Sequence, residues 1–110
     1  MAILPEPQSQ IITSPDNKIQ IFNHRTSREG FGAFCVEGAI RNLTSEPNLK
    51  AQIRVEYFDS DNNKIDSETD IINNLRPGFP RGFYISFAGK KRNSIQYYRL
   101  YLTTFMDAVK

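Results

Sequence analysis

Strict alternation is the clearest feature of the chain. Leu49, Ala51, Ile53, Val55 and Tyr57 take turns with Lys50, Gln52, Arg54 and Glu56. A period of two puts apolar side chains on one face of an extended strand and polar ones on the other, which marks a half-buried antiparallel strand. Residues 34–42 repeat the pattern, with Phe34, Val36, Gly38 and Ile40 on one face and Cys35, Glu37, Ala39 and Arg41 on the other. Gly38 within such a run implies a bulge or a close neighbour, because glycine otherwise weakens pairing. Residues 17–23 predict a further strand, with Ile19 and Ile21 sharing a face. Residues 79–87 alternate again, so Phe79, Phe83, Ile85 and Phe87 read as core. Residues 95–105 form the last long strand, with Tyr97, Tyr101 and Phe105 on one side and Tyr98, Leu100 and Leu102 on the other. The more polar stretch 65–72 reads as an edge strand.

The segments between these runs are turns and loops. Residues 24–32 are polar and glycine-bearing, which predicts a loop with His24 solvated in it. Residues 42–48 and 59–64 are rich in Asn, Asp, Ser and Thr, which bond their own backbone in turns. Pro77-Gly78 marks another turn, and residues 89–93 form a basic loop. At the start, Pro5, Pro7 and Pro15 lie among Gln, Ser and Thr without periodicity, so residues 1–16 read as an extended linker in which Ile11-Ile12 offers at most a short edge strand. No helical period is present. Six to seven strands at intervals of about ten residues predict an all-β, two-sheet antiparallel sandwich of immunoglobulin type over residues 17–107, with a barrel as the alternative.

Composition sets the bounds of this picture. At 110 residues the chain is one domain's worth, and 39% apolar residues with thirteen aromatics (Phe 8, Tyr 5) suit a packed core. No apolar run approaches the roughly 20 residues of a membrane-spanning helix. The first ten residues have neither the basic nor the apolar region of a signal peptide. Cys35 is the only cysteine and His24 the only histidine, which excludes an intramolecular disulfide and a cysteine-based zinc site. Cys35 lies between Phe34 and Val36 and reads as a small core hydrophobe. Its uniqueness leaves a regulatory thiol as the competing reading, since the alternation turns it either to solvent or to the second sheet. The sequence carries no phosphate-binding glycine loop, no GxSxG elbow and no HExxH, so no enzymatic activity and no cofactor are expected.

Two short motifs invite chemistry and have simpler explanations. Asp59, Asp61 and Asn63 follow the spacing of a calcium loop, but Lys64 stands where glycine is needed and strands flank the segment. A hairpin turn explains the same residues. Asn42-Leu43-Thr44 has glycosylation spacing, and an asparagine closing a strand explains it equally well.

Charge divides the chain. Residues 1–70 carry a balance of −4 and residues 71–110 a balance of +6, with no acid between Asp70 and Asp107. The basic third interleaves cations with aromatics, a combination that suits single-stranded nucleic acid, an anionic envelope polymer or an anionic membrane surface. Lys90, Lys91, Arg92, Arg81 and Tyr84 are the candidate anion-binding residues. The competing reading has the aromatics in the core and the cations on the surface, partly paired with the acidic 59–70 hairpin.

Several of these positions together resemble the FxLYD domain family, small immunoglobulin-like or telokin-like modules of bacterial and archaeal proteins. Gly38, Ile40 and Asn42 match its V-x-G-x-(I/V)-x-N strand, and Leu75, Pro77, Gly78 and Phe83 match its L-x-P-G turn and following strand. The naming motif is represented by Val55-Glu56-Tyr57-Phe58-Asp59, which keeps Asp59 and the aromatic character, and Tyr98-Arg99-Leu100 resembles the closing strand. The resemblance covers residues 34–104. It implies a non-enzymatic module for protein interaction, or a spacer, in an extracytoplasmic or envelope setting, with an unidentified protein partner and no small-molecule cofactor. An anionic polymer is the alternative partner.

Overall fold

The computed structural model describes residues 8–28 and 32–105, without the side chain of Phe105. The first seven residues of the expected linker, residues 29–31 of the expected loop and residues 106–107 of the expected domain lie outside the described residues. The described residues form seven strands: β1 (Ile12–Thr13), β2 (Ile19–Arg28), β3 (Phe34–Asn42), β4 (Leu49–Phe58), β5 (Lys64–Leu75), β6 (Arg81–Phe87) and β7 (Tyr97–Phe105). They form two antiparallel sheets, β1-β2-β3-β6 and β5-β4-β7, packed as a β-sandwich. A single 3-10 turn at Arg92–Ser94 interrupts the β6–β7 connection.

The alternation of β4 is realised in full: Leu49, Ala51, Ile53, Val55 and Tyr57 are all buried. Across from them lie Ile19 and Ile21 of β2, Phe34, Val36 and Ile40 of β3, and Phe83, Ile85 and Phe87 of β6. Gly38 proves to be a point of close approach. A Cβ built there would stand 2.9 Å from the Phe83 ring and 3.0 Å from the His24 backbone. β5 is an edge strand, as its polarity predicts. Asp66, Glu68 and Asp70 stand in register with the core residues Tyr57, Val55 and Ile53, so its carboxylates lie on the side an incoming apolar strand would need.

Three expectations are corrected. Residues 24–28 are strand rather than loop, because β2 continues through a bulge between Phe22 and Arg25, where Asn23 takes a φ of 55°. The bulge adds a residue and turns His24 inward, so it is buried rather than solvated. Phe79 is not core. The strand begins only at Arg81, and Phe79 is 63% exposed on the preceding turn. Residues 8–16 do not trail away as a linker. Ile12 and Thr13 pair with Ile21 and Gln20, and the Gln8 amide bonds both backbone groups of Leu100 on β7, accepting from its N–H at 2.8 Å and donating to its carbonyl at 2.9 Å.

Asn42 ties the end of β3 to the far end of β5. Its buried amide donates to the carbonyls of Glu46 (2.7 Å) and Leu75 (2.9 Å) and accepts from the backbone and hydroxyl of Thr44 (2.8 and 2.7 Å). All four hydrogen-bonding positions of the amide are thereby used. Asn42→Ala is expected to cost about 2–4 kcal/mol, because it leaves buried backbone groups unpaired. Asn42→Asp should cost a similar amount, since two donors become acceptors facing carbonyls. Urea denaturation of both variants checks this; a loss below about 1 kcal/mol would contradict it.

Turn chemistry also explains two acidic residues. Asp59 accepts from the backbone N–H groups of Asp61 (2.8 Å) and Asn63 (3.0 Å), and Asp16 accepts from the Ser14 hydroxyl (2.6 Å) and the Lys18 N–H (3.2 Å). The Asn63 N–H first, and the Ser14 hydroxyl first, hold the two carboxyls below their ordinary range. Each folded-state value lies below the unfolded value of about 3.9, so the contribution is complete above that pH and fades as pH falls through the folded values. Asp16→Asn/Asp59→Asn keeps the accepting oxygens. It should narrow the difference in urea midpoint between about pH 7 and about pH 3, and an unchanged difference would count against this reading.

Candidate functional site

The register of the four-stranded sheet determines its outer surface. Side chains alternate across the pleat, so residues paired across β2, β3 and β6 form rows over the solvent face. One row is Arg25, Glu37 and Tyr84; the next is Phe22, Ala39 and Gly82. Beyond it, Gln20 and Arg41 pair, with the Arg41 Nε 2.8 Å from the Gln20 side-chain oxygen and the guanidinium carbon 4.5 Å from the centre of the Phe22 ring. The middle row is short toward β6, where Ala39 and Gly82 project almost nothing. A cleft of about 470 Å³ results, lined by Asn23, Arg25, Glu37, Gly38, Ala39, Gly82, Phe83 and Tyr84.

Its wall is polar and aromatic. Arg25 donates to one oxygen of Glu37 through Nε (3.1 Å) and Nη2 (3.0 Å). With the Arg25 side chain 76% exposed this pair contributes at most about 1 kcal/mol to stability. Its value lies instead in placing a forked donor and an acceptor side by side on a rigid strand. Tyr84 is 48% exposed, and its hydroxyl donates to the Cys35 sulfur at 3.0 Å. That contact anchors the ring beside the cleft and explains why Cys35, on the outer face, is fully buried. Native protein is therefore expected to resist thiol labelling until denatured; rapid native labelling would show that Tyr84 swings away.

Beneath the bulge lies a buried polar relay. His24 Nε2 is 2.7 Å from the Ser9 carbonyl and Nδ1 is 2.6 Å from the Tyr98 hydroxyl. A carbonyl only accepts, so Nε2 donates to Ser9, and in the neutral ring Nδ1 accepts from the Tyr98 hydroxyl. Burial raises the Tyr98 phenol above its ordinary value, which keeps that donor protonated. The ring thus links the Ser9 backbone to Tyr98 of β7.

The residues expected to bind anions are not brought together. Arg81 opens β6 and donates to the Asn73 carbonyl at 3.0 Å. Lys90, Lys91 and Arg92 lie past the other end of that strand, roughly 20 Å away. Tyr84 stands between them, in the row of Arg25 and Glu37. Arg92 folds back onto the Gly89 carbonyl (3.2 Å), and Lys91 is close enough to Asp59 to favour its charged form. Of the aromatics, Tyr98 faces His24 and Tyr97 stacks on Phe58 at 4.8 Å. Among the described residues, no group of three His, Cys, Asp or Glu side chains is arranged to hold a metal ion.

Sequence reasoning missed Asn23, Arg25, Glu37, Ala39 and Gly82. Only the small outward residues Ala39 and Gly82 were available as a signal, and their adjacency depends on a register no local pattern reveals. In comparisons with known proteins, no family model, no curated protein and no solved structure matches this chain.

Proposed function

We propose that this chain is a non-enzymatic, immunoglobulin-like β-sandwich module of the FxLYD kind, which binds a protein partner in an envelope setting through the outer face of the β1-β2-β3-β6 sheet. The cleft beside Tyr84 carries the reading. A rigid, half-exposed tyrosine next to a forked arginine over a floor of small residues is the composition that protein interfaces favour at their energetic centres. The strand order supports the immunoglobulin-like description, and the absence of nucleophile and phosphate-loop motifs from the sequence supports a binding rather than a catalytic role. The positions that resemble the FxLYD family serve structural ends here: Gly38 admits Phe83, Asn42 and Asp59 close strand ends, and Gly78 takes a φ of 78° in a turn.

The test is photo-cross-linking in the source cells. A photoreactive phenylalanine analogue at Tyr84 should give one discrete protein adduct, and the same group at Ile71, exposed on β5, should not. No adduct from Tyr84, equal labelling from both positions, or adducts with nucleic acid or polysaccharide alone would overturn the proposal.

A further inference from the structure

The turn between β5 and β6 presents an aromatic side chain that the fold does not use. Phe79 N–H donates to the Arg76 carbonyl at 3.2 Å, with Pro77 and Gly78 between them and Gly78 at a φ of 78°, which is a type II turn. The turn is held firmly. Leu75 before it is fully buried, the Asn42 amide bonds the Leu75 carbonyl, and Asn42 bridges Pro77. Phe79 is therefore displayed at 63% exposure from a rigid support. Single exposed apolar residues are ordinary on protein surfaces, but this one has company. Leu43, next to Asn42 at the same end of the sandwich, is 46% exposed.

Charge surrounds these two residues. The Arg76 guanidinium lies 5.2 Å from the centre of the Phe79 ring, and Arg81 follows two residues later. Lys18 is adjacent, its carbonyl accepting from Leu43 N–H. Two acids flank Lys18 at this end: Glu46 at 3.8 Å and Asp16, which accepts from the Lys18 N–H. No acid occurs in sequence between Asp70 and Asp107, so the charged residues that the turn and its chain flanks contribute, Arg76 and Arg81, are both basic.

We infer that this tip, Phe79 and Leu43 ringed by Arg76, Arg81 and Lys18, docks on an anionic lipid bilayer. Two side chains offer at most about 400 Å² of apolar contact, well short of the roughly 1,000 Å² that a stable protein interface buries. A bilayer asks for less. An aromatic wedge enters the boundary between headgroups and acyl chains, and each nearby cation adds attraction to anionic lipid. The inference is independent of the cleft, which lies on the sheet face. It places the module flat-end-down on a membrane with the Tyr84 face directed sideways.

The chain has no tryptophan, so Phe79→Trp supplies a single fluorescent reporter. Its emission should shift to shorter wavelength on vesicles containing phosphatidylglycerol and not on pure phosphatidylcholine. Tyr101→Trp, on the outer face of the other sheet, should not respond to either. Co-sedimentation with the anionic vesicles should fall about tenfold or more in Phe79→Ala and in Arg76→Gln/Arg81→Gln, and hold in Lys90→Ala/Lys91→Ala/Arg92→Ala. Circular dichroism confirms that each variant folds. Absence of a shift, equal response from Trp at position 101, equal binding to neutral vesicles, or loss only in the triple variant would overturn the inference. The cross-linking at Tyr84 is unaffected by any of these outcomes.

Discussion

Tyr57→Ala is expected to remove about 3–5 kcal/mol of stability, against the roughly 5–15 kcal/mol that a small domain possesses. Tyr57 is fully buried near the end of β4, stacked on Phe87 with centroids 4.9 Å apart and edge-on to Phe34 at 5.7 Å. Truncation would empty the space between the sheets beside Phe34 of β3 and Phe87 of β6, and a rigid sandwich collapses little around such a hole. The hydroxyl makes the opposite point. It is buried with no hydrogen-bond partner among the described residues, and burial pushes its phenol well above the ordinary value. Tyr57→Phe should therefore be neutral or stabilising by about 1 kcal/mol. Chemical denaturation of the two variants is the measurement. A loss above about 1 kcal/mol in Tyr57→Phe would mean that the hydroxyl is bonded after all.

Gly38→Val should be nearly as damaging as the alanine at position 57, at about 3 kcal/mol or more, with Gly38→Ala at about 1–3 kcal/mol. The nearest obstacles to a Cβ are the buried ring of Phe83, at 2.9 and 3.0 Å, and the His24 Cα at 3.0 Å. Neither is the free end of a flexible side chain. Phe83 is held in the core, and the His24 backbone is fixed by the bulge and by its bonds to Ser9 and Tyr98. A side chain at position 38 must move one of them, which outweighs the roughly 0.5–1 kcal/mol gained by removing a glycine from a strand. Unfolding midpoints decide the matter. A Gly38→Ala variant as stable as the parent would show that Phe83 can rotate without loss.

Whatever depends on local pattern is legible in the sequence by itself. The period-two runs of β3 and β4 dictate which residues face inward, because a one-residue slip would expose an entire apolar set. Asp59 and Pro77-Gly78 declare turns through their own backbone preferences. Gly38 announces a close approach, though not the partner. An all-β antiparallel architecture follows from these runs taken together, since without a helical period the half-buried strands must hide their apolar faces against other strands, in a sandwich or a closed barrel.

Tertiary structure alone decided the rest. His24 opens a polar stretch that reads as loop, but a bulge between Phe22 and Arg25 changes the strand's phase and turns the ring inward, where Ser9 and Tyr98, distant in sequence, meet it. Phe79 fits the alternation of β6, yet the type II turn at residues 76–79 sets the backbone so that pairing with β3 begins only at Arg81. The cleft arises because Ala39 and Gly82 fall opposite each other, and the placement of Arg25 and Glu37 beside Tyr84 depends on the same registers. Periodicity reports on each strand by itself. The sites of this protein depend on offsets between strands, which are set by bulges and turns and by packing across the whole sandwich.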